Sequence, residues 1–212
     1  MVTISDVISF RYCRSNPVER VVEVRLPTKY GIFNAIGYKT RDRNEHHLAL
    51  IMGDVKGKER VLVRVHSECL TGDVFHSLRC DCGEQLEAAL EKISQEGTGV
   101  LLYVIGHEGR GIGLINKLKA YKVQQEEGKD TVEANKHLGF SPDLREYDMA
   151  AQILADLGLR SIRLMTNNPE KIRGLQEYGI EVVERVPLIM KPTLENRDYL
   201  RAKRDKLFHL IE

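Results

Sequence analysis

The sequence predicts an α/β protein on a mixed β-sheet, an N-terminal antiparallel meander followed by alternating helices and strands. Two observations carry this. Four short runs of loosely alternating apolar residues, separated by turn residues, fill the first third, and from residue 84 the apolar period becomes that of a helix. Helical segments and apolar runs then alternate to the C-terminus, as strand–helix–strand units do. At 212 residues and 42% hydrophobic, the chain can bury a substantial core in one domain with at most a small annex.

The first runs are RVVEVRL (20–26) and GIFNAIGY (31–38), broken by Pro27, Gly31 and Gly37. HLALIMG (47–53) and VLVRVH (61–66) follow, with the turn DVKGKER between them. Four runs on short turns predict a meander that leads directly into the cysteine-rich segment. In EQLEAALEKISQEG (84–97), Leu86, Ala89, Leu90 and Ile93 share one helical face, and Gly97 stands where a C-terminal cap belongs. GVLLYVI (99–105) reads as a buried strand, GHEGRGIG (106–113) as a glycine-rich loop and LINKLKAYKVQQEE (114–127) as a helix. Asp130 and Glu133 have capping-box spacing, which opens another short helix. A helix over about 146–157 precedes RSIRLMT (160–166), NNPEKIRGLQEYG (167–179) and IEVVERV (180–186), a strand–helix–strand unit. A charged helix over about 194–209 ends the chain, and residues 1–18 read as a separate short helix or arm.

Lys+Arg number 32 against Asp+Glu 31, so a net charge of +1 gives no global reason to expect nucleic acid or an acidic membrane. An anionic substrate must therefore be met by local charge. No stretch approaches the roughly 18 apolar residues of a membrane span, and the N-terminus lacks the order of a secretion signal. Three of the four cysteines fall within HSECLTGDVFHSLRCDCGEQ (66–85), as C-x10-C-x-C. That spacing argues against a disulfide framework and for a metal in a reducing, cytoplasmic compartment.

Zinc suits soft thiolates and tolerates three protein ligands completed by water. Both sulfurs of the C-x-C pair can reach one ion while Asp81 points away, and Arg79 beside them can favour the thiolate forms. Two plainer readings stand beside this: a structural zinc with Cys13, His66 or His76 as fourth ligand, and reduced cysteines without metal. An open zinc lowers the pKa of bound water to about 7, a hydrolytic tool suited to an electrophilic nucleobase carbon.

Three further segments fit an anion. GHEGRGIG follows a strand and opens a helix, where backbone N–H groups and the helix dipole favour negative charge; the alternative is a tight turn with Arg110 on the surface. TNNPEK (166–171) ends a strand and starts a helix with Pro169 at its first position. Its Lys171 either meets the anion or lies on a solvated face. In PDLRE (142–146), Asp143 and Arg145 point to one side if extended, or form an ordinary loop ion pair.

Together RVHSECLTGDVFHSLRCDCGEQL (64–86), HEGRGIGL (107–114), the tyrosine of KAY (119–121), DTVEANKHLGF (130–140), the Asp-x-Arg of PDLRE and LMTNNPEKI (164–172) resemble GTP cyclohydrolase II, from about residue 19 to the C-terminus. The resemblance implies that fold and hydrolysis of the imidazole ring of GTP. Formate and diphosphate leave, and a diaminopyrimidinone ribosylamino 5′-phosphate remains, the first step of riboflavin biosynthesis. It implies zinc on Cys69, Cys80 and Cys82, and a GTP pocket of Arg64, Val65, His66, Ser67, Glu68, Gln85, Glu108, Gly109, Arg110, Thr131, Thr166 and Lys171. Gln85 would read the base. Magnesium on the triphosphate and a homodimer are implied as well.

The family's proton acceptor matches Asp143, its nucleophile on the α-phosphate matches Arg145, and a tyrosine needed for the ring chemistry matches Tyr121. A guanidinium of pKa above about 12 equally suits stabilising charge on the phosphoryl group, and Tyr121 equally suits core packing. The chain departs from the family at Ile105, where an arginine is usual, and in YDMAAQ after PDLRE, where many relatives carry a glycine. VTISDVISFRYCRS resembles the end of a dihydroxybutanone-phosphate synthase domain. Residues 1–18 are thus expected to be the arm of such a domain, without synthase activity, and 19–212 the cyclohydrolase half of a bifunctional protein. A silent GTP-binding paralogue with structural zinc is the alternative.

Overall fold

The computed structural model describes residues 18–41 and 45–211. All of the predicted arm but Val18, Cys13 included, lies outside the described residues. β1 (Val18–Thr28), β2 (Gly31–Thr40) and β3 (His46–Met52) form an antiparallel meander. β3 continues antiparallel to β5 (Gly99–Val104), which runs parallel to β4 (Val61–Ser67). Parallel β6 (Ile162–Met165) and β7 (Val182–Val186) complete a mixed sheet in the order β1-β2-β3-β5-β4-β6-β7.

Only three of the four early runs share the meander. β4 crosses to the far side of β5 because its first six residues, Val61 to His66, are all buried. A strand covered on both faces belongs inside a parallel sheet, whereas β1, exposed along most of its length, forms an edge.

The helices are α1 (Leu70–Asp73), α2 (Cys82–Glu96), α3 (Leu114–Glu127), α4 (Thr131–His137), α5 (Asp148–Asp156), α6 (Pro169–Glu177) and α7 (Arg197–Leu207). A 3-10 turn spans Glu108–Arg110. Gly97 caps α2 in the left-handed region at φ 71°, its N–H bonding to the Ile93 carbonyl. The expected capping box joins Asp130 and Glu133, and Asn168 caps α6 ahead of Pro169.

Side-chain alternation divides the core between the two sheet faces. Val63, Val65 and Leu102 pack against Ile153 and Leu154 of α5 and Leu175 of α6. Leu62 and Leu101 pack against Ala89, Leu90 and Ile93 of α2. Truncating the fully buried Ile93 to alanine costs about 2–5 kcal/mol on general grounds. The sheet is mixed as expected, yet its parallel half carries helices on both faces, as a doubly wound sheet does.

β4, β5 and β6 end on one side of the sheet. From β4 the chain passes to β5 on one flank and then to β6 on the other. Such a divergence opens a crevice beyond the strand ends. The cysteine segment, the glycine loop and TNNPEK leave those ends.

Candidate active site

A cleft opens at these strand ends, lined by the cysteine segment, the glycine loop and TNNPEK. The Sγ atoms of Cys69, Cys80 and Cys82 lie within 4.8 Å of one another, and Cys69 and Cys80 are 3.7 Å apart. Zn–S bonds of about 2.3 Å in a tetrahedral set separate sulfurs by about 3.8 Å, so the donor set fits zinc. Two glycines allow this closeness. A Cβ on Gly72 would stand 3.0 Å from the Cys80 sulfur, and one on Gly83 only 2.4 Å from the Gly72 carbonyl oxygen. Hydrogen bonds from the Cys80 and Cys82 thiols, with Lys117, hold Cys69 far below its ordinary pKa, while its thiolate pushes Cys80 up to about 11. One thiolate thus serves two thiols, and a dication would displace both protons.

Neither candidate fourth ligand among the described residues joins the cluster. His76 is exposed. The His66 Nε2 lies 3.0 Å from Asp73 Oδ1, and its ring stacks on Tyr103. Asp73 also accepts from the Tyr103 hydroxyl (2.7 Å) and the Cys69 N–H (3.0 Å), so His66 belongs to the frame that holds Cys69. Arg79, expected beside the thiolates, lies 4.4 Å over the Tyr121 ring and donates to Gln124. The cation on Cys69 is Lys117, 3.1 Å from its sulfur.

Asp81 does point away from the sulfurs. Buried, it accepts from Gln85 Nε2 (2.5 Å) and Lys203 Nζ (2.7 Å). Gln85 Oε1 accepts from Arg64, which also donates to the Met165 carbonyl at 2.8 Å. One buried chain thus links the thiol loop, α2, β4, β6 and α7. Burial lowers the Arg64 pKa to about 10.

The glycine loop is pinned at two points. Glu68 accepts from the Gly106 N–H at 2.8 Å, and Glu108 accepts from the Leu70 N–H at 2.6 Å. Gly109 has φ 59°, and a Cβ there would meet Ile112 at 2.9 Å. Arg110 reaches φ 67°, and its buried NH1 has no partner among the described residues. It lines the cleft rather than the open surface.

Asp143 grips Arg145 bidentately, Oδ1 to Nε at 2.9 Å and Oδ2 to NH2 at 2.5 Å. Arg145 NH1 points to Ser67 Oγ (3.5 Å), itself 3.1 Å from His107 Nδ1. Burial opposes charge on both partners, but their pairing prevails, with Tyr147 also acting on Arg145. Asp143 ends below its ordinary range and Arg145 above. Burial, then the Arg145 and Lys171 charges, lowers the His107 pKa to about 3.

Lys171 is buried and donates to the Val65 carbonyl at 2.7 Å. Burial and the Arg64 and Arg145 charges drive its pKa well down. Charging it beside two guanidinium groups, with its hydrogen bond going to a carbonyl, calls for an anion.

Of the residues expected in the site, two do not line the cleft. The Val65 side chain lies in the core, so Val65 offers only its carbonyl. Asp143 stands behind Arg145. Tyr121 and Thr131 line the cleft from α3 and the start of α4, and Thr166 lines it beyond β6. Burial raises the Tyr121 pKa. Ile105, 39% exposed at the end of β5, lies outside the cleft. Sequence reading missed Lys117, His107, Asn135, Tyr199, Lys203 and His209, which also line it. Lys117 carried one signal, its i−4 spacing from Tyr121 on one helix.

A sequence profile of the GTP cyclohydrolase II family matches residues 19–187. The riboflavin biosynthesis protein RibBA of Bacillus cereus (strain B4264) is 60% identical over 211 residues, covering 100% of this chain and 53% of that protein. RibBA of Aquifex aeolicus (strain VF5) is 56% identical, with 100% and 52% covered. The chain spans about half the length of these relatives. Among solved structures, RibBX, a two-domain 3,4-dihydroxy-2-butanone 4-phosphate synthase from A. baumannii, superposes with a TM-score of 0.54 at 22% identity, over 87% of this chain and 44% of that one. At that identity the likeness is one of fold.

Proposed function

The chain belongs to the GTP cyclohydrolase II family, and on that premise we propose that it hydrolyses GTP, opening the imidazole ring to release formate and removing diphosphate. The observation that carries this reading is the meeting of two chemistries in one cleft. Three convergent thiols stand in the same cleft as Arg145, Lys171 and Arg110. Six basic side chains line it against Glu68 and Glu108, in a chain of net charge +1, which suits a triphosphate.

Cys69, Cys80 and Cys82 would hold zinc, which supplies Lewis acidity and an activated water for ring hydrolysis. Tyr121, its pKa raised by burial, keeps its proton at neutral pH and can donate it to a ring nitrogen. Gln85 is held by Arg64 and Asp81 in one amide orientation, as a reader of the base edge requires. Lys171, Arg110 and Thr166 would take the phosphates, with magnesium on the triphosphate. Asp143 occupies Nε and NH2 of Arg145 and leaves NH1 toward Ser67. That pairing makes the guanidinium harder to deprotonate, which favours stabilisation of phosphoryl charge over nucleophilic attack.

Residues 19–212 would form this catalytic domain, and 1–18 the end of a synthase domain, in a cytoplasmic protein. No helix among the described residues is long and apolar enough to cross a membrane. For the homodimer we assign the edge strand β1. Val22, Val24 and Leu26 are exposed there beside a ladder with no partner strand among the described residues.

The test is a product count. Zinc-loaded protein with GTP and magnesium should release formate and diphosphate in equal amounts, and Cys80→Ser should lose formate. Bound zinc and bound GTP without either product would favour the silent paralogue.

A further inference from the structure

We infer that Lys117 is a positioning residue for the thiolate centre: its ammonium orients the Cys69 sulfur, tempers its donation to the metal, and fixes the distance from that centre to Tyr121. The inference rests on the reading of the three cysteines as a zinc site.

The geometry leaves Lys117 little freedom. It is 7% exposed, and its Nζ lies 3.1 Å from Cys69 Sγ, 2.8 Å from Thr71 Oγ1 and 2.6 Å from Glu108 Oε1. An ammonium has three protons, and three acceptors receive them. Glu108 is anchored in turn, Oε2 by the Leu70 N–H at 2.6 Å and Oε1 by the Gly109 N–H at 3.1 Å. The residue after Cys69, the glycine loop and α3 therefore close on one ion pair, and both oxygens of Glu108 already accept hydrogen bonds.

The same lysine governs Tyr121. The two stand four residues apart on α3, and Nζ lies 5.7 Å from the Tyr121 ring centroid. Whatever holds Nζ against Cys69 holds the phenol at a set distance from the sulfurs. Chemically, a charged N–H on a thiolate withdraws density from sulfur. Three unmoderated thiolates would leave a dication with a net negative charge and weak Lewis acidity. Lys117 shares its charge with Glu108, so its effect is a directed hydrogen bond on one sulfur rather than bulk neutralisation. Groups that orient metal ligands in this way typically contribute roughly 10- to 100-fold in metal affinity.

The experiment uses the full chain and Co²⁺ alone, without substrate. Wild type should bind one Co²⁺ with intense sulfur-to-cobalt charge transfer. Lys117→Met should bind it roughly 10- to 100-fold more weakly, because the lost orientation of Cys69 outweighs the stronger donation of the freed sulfur, with the charge-transfer band at lower energy because the sulfur has lost its hydrogen bond. Lys117→Arg, which keeps a cationic donor, should recover most of the affinity and the band position. If Lys117→Met does not fold, Lys117→Gln retains a neutral donor, and its band must fall between those of wild type and Lys117→Arg on one side and free-thiolate energies on the other. Wild type without thiolate charge transfer would refute the metal reading and this inference with it. Wild type and the Lys117 variants alike in affinity and spectrum would overturn the inference and leave the metal reading standing.

Discussion

Replacing Asp81 with asparagine tests the link between the thiol loop and the C-terminal helix. Asp81 is 2% exposed between Cys80 and Cys82 and accepts from Lys203 at 2.7 Å and Gln85 at 2.5 Å. The side chain of Lys203 is 9% exposed. Asparagine keeps the shape and removes the charge, which leaves an ammonium buried with no counter-ion. Breaking one side of a buried pair costs about 3–5 kcal/mol. At about 2–4 °C per kcal/mol for a chain of this size, the Tm should fall by roughly 6–20 °C. Lys203→Met alone should also destabilise, since Asp81 then keeps only Gln85. The double variant should be more stable than the sum of the two losses predicts, because it leaves no unpaired charge. Thermal unfolding of the four metal-free proteins at one pH completes the cycle. Additive losses, or an Asp81→Asn shift below about 2 °C, would show that the pair does not tie α7 to the site.

Three further outcomes follow from the same structure. Arg145→Lys keeps the charge but loses the bidentate grip of Asp143, so diphosphate release should fall by roughly 10²-fold while GTP affinity changes far less; a wild-type rate would remove Arg145 from the phosphoryl chemistry. His47 is 3% exposed with neither ring nitrogen hydrogen-bonded among the described residues, Glu45 Oε2 lying 3.9 Å from Nε2, and burial, then the His46 charge, lowers its pKa to about 4. An unfolded histidine titrates near 6.5, so stability present above that pH is lost as pH falls through about 4, a loss of about 3 kcal/mol. His47→Leu should flatten that acid limb without loss at pH 7, and superimposable denaturation curves from pH 7 to 4 would contradict this. If wild type is a dimer paired through this edge, Val22→Lys with Val24→Lys, which places like charges along β1, should give a monomer by light scattering; an unchanged mass would move the interface elsewhere.

Local chemistry was legible in the sequence. Gly97, the Asp130–Glu133 box and the Asn168–Pro169 start each do what their residue types dictate, because caps depend on neighbours a few residues away. The C-x10-C-x-C spacing likewise marks the three sulfurs that come together, although Tyr103, Lys117 and Lys203 from distant elements hold their loop in place. The position of β4 was not legible, since an alternating run fits either a meander or a doubly covered strand, and burial by distant helices decides between them. Lys203 and His209 sit on and just after a helix that reads as charged all round. Its covering of the cleft depends on Asp81, more than a hundred residues away. Lys117 takes the role expected of Arg79 for the same reason: proximity along the chain favoured Arg79, whereas the fold brings Lys117 to Cys69.

Opening of the guanine ring in this cleft can be followed directly with GTP labelled with carbon-13 at C8. With zinc and magnesium present, the label should leave as formate, seen by NMR, in step with diphosphate. Cys80→Ser should release no labelled formate. Label retained in the ring while diphosphate accumulates, or no turnover by a zinc-loaded protein that binds GTP, would contradict ring opening in this cleft.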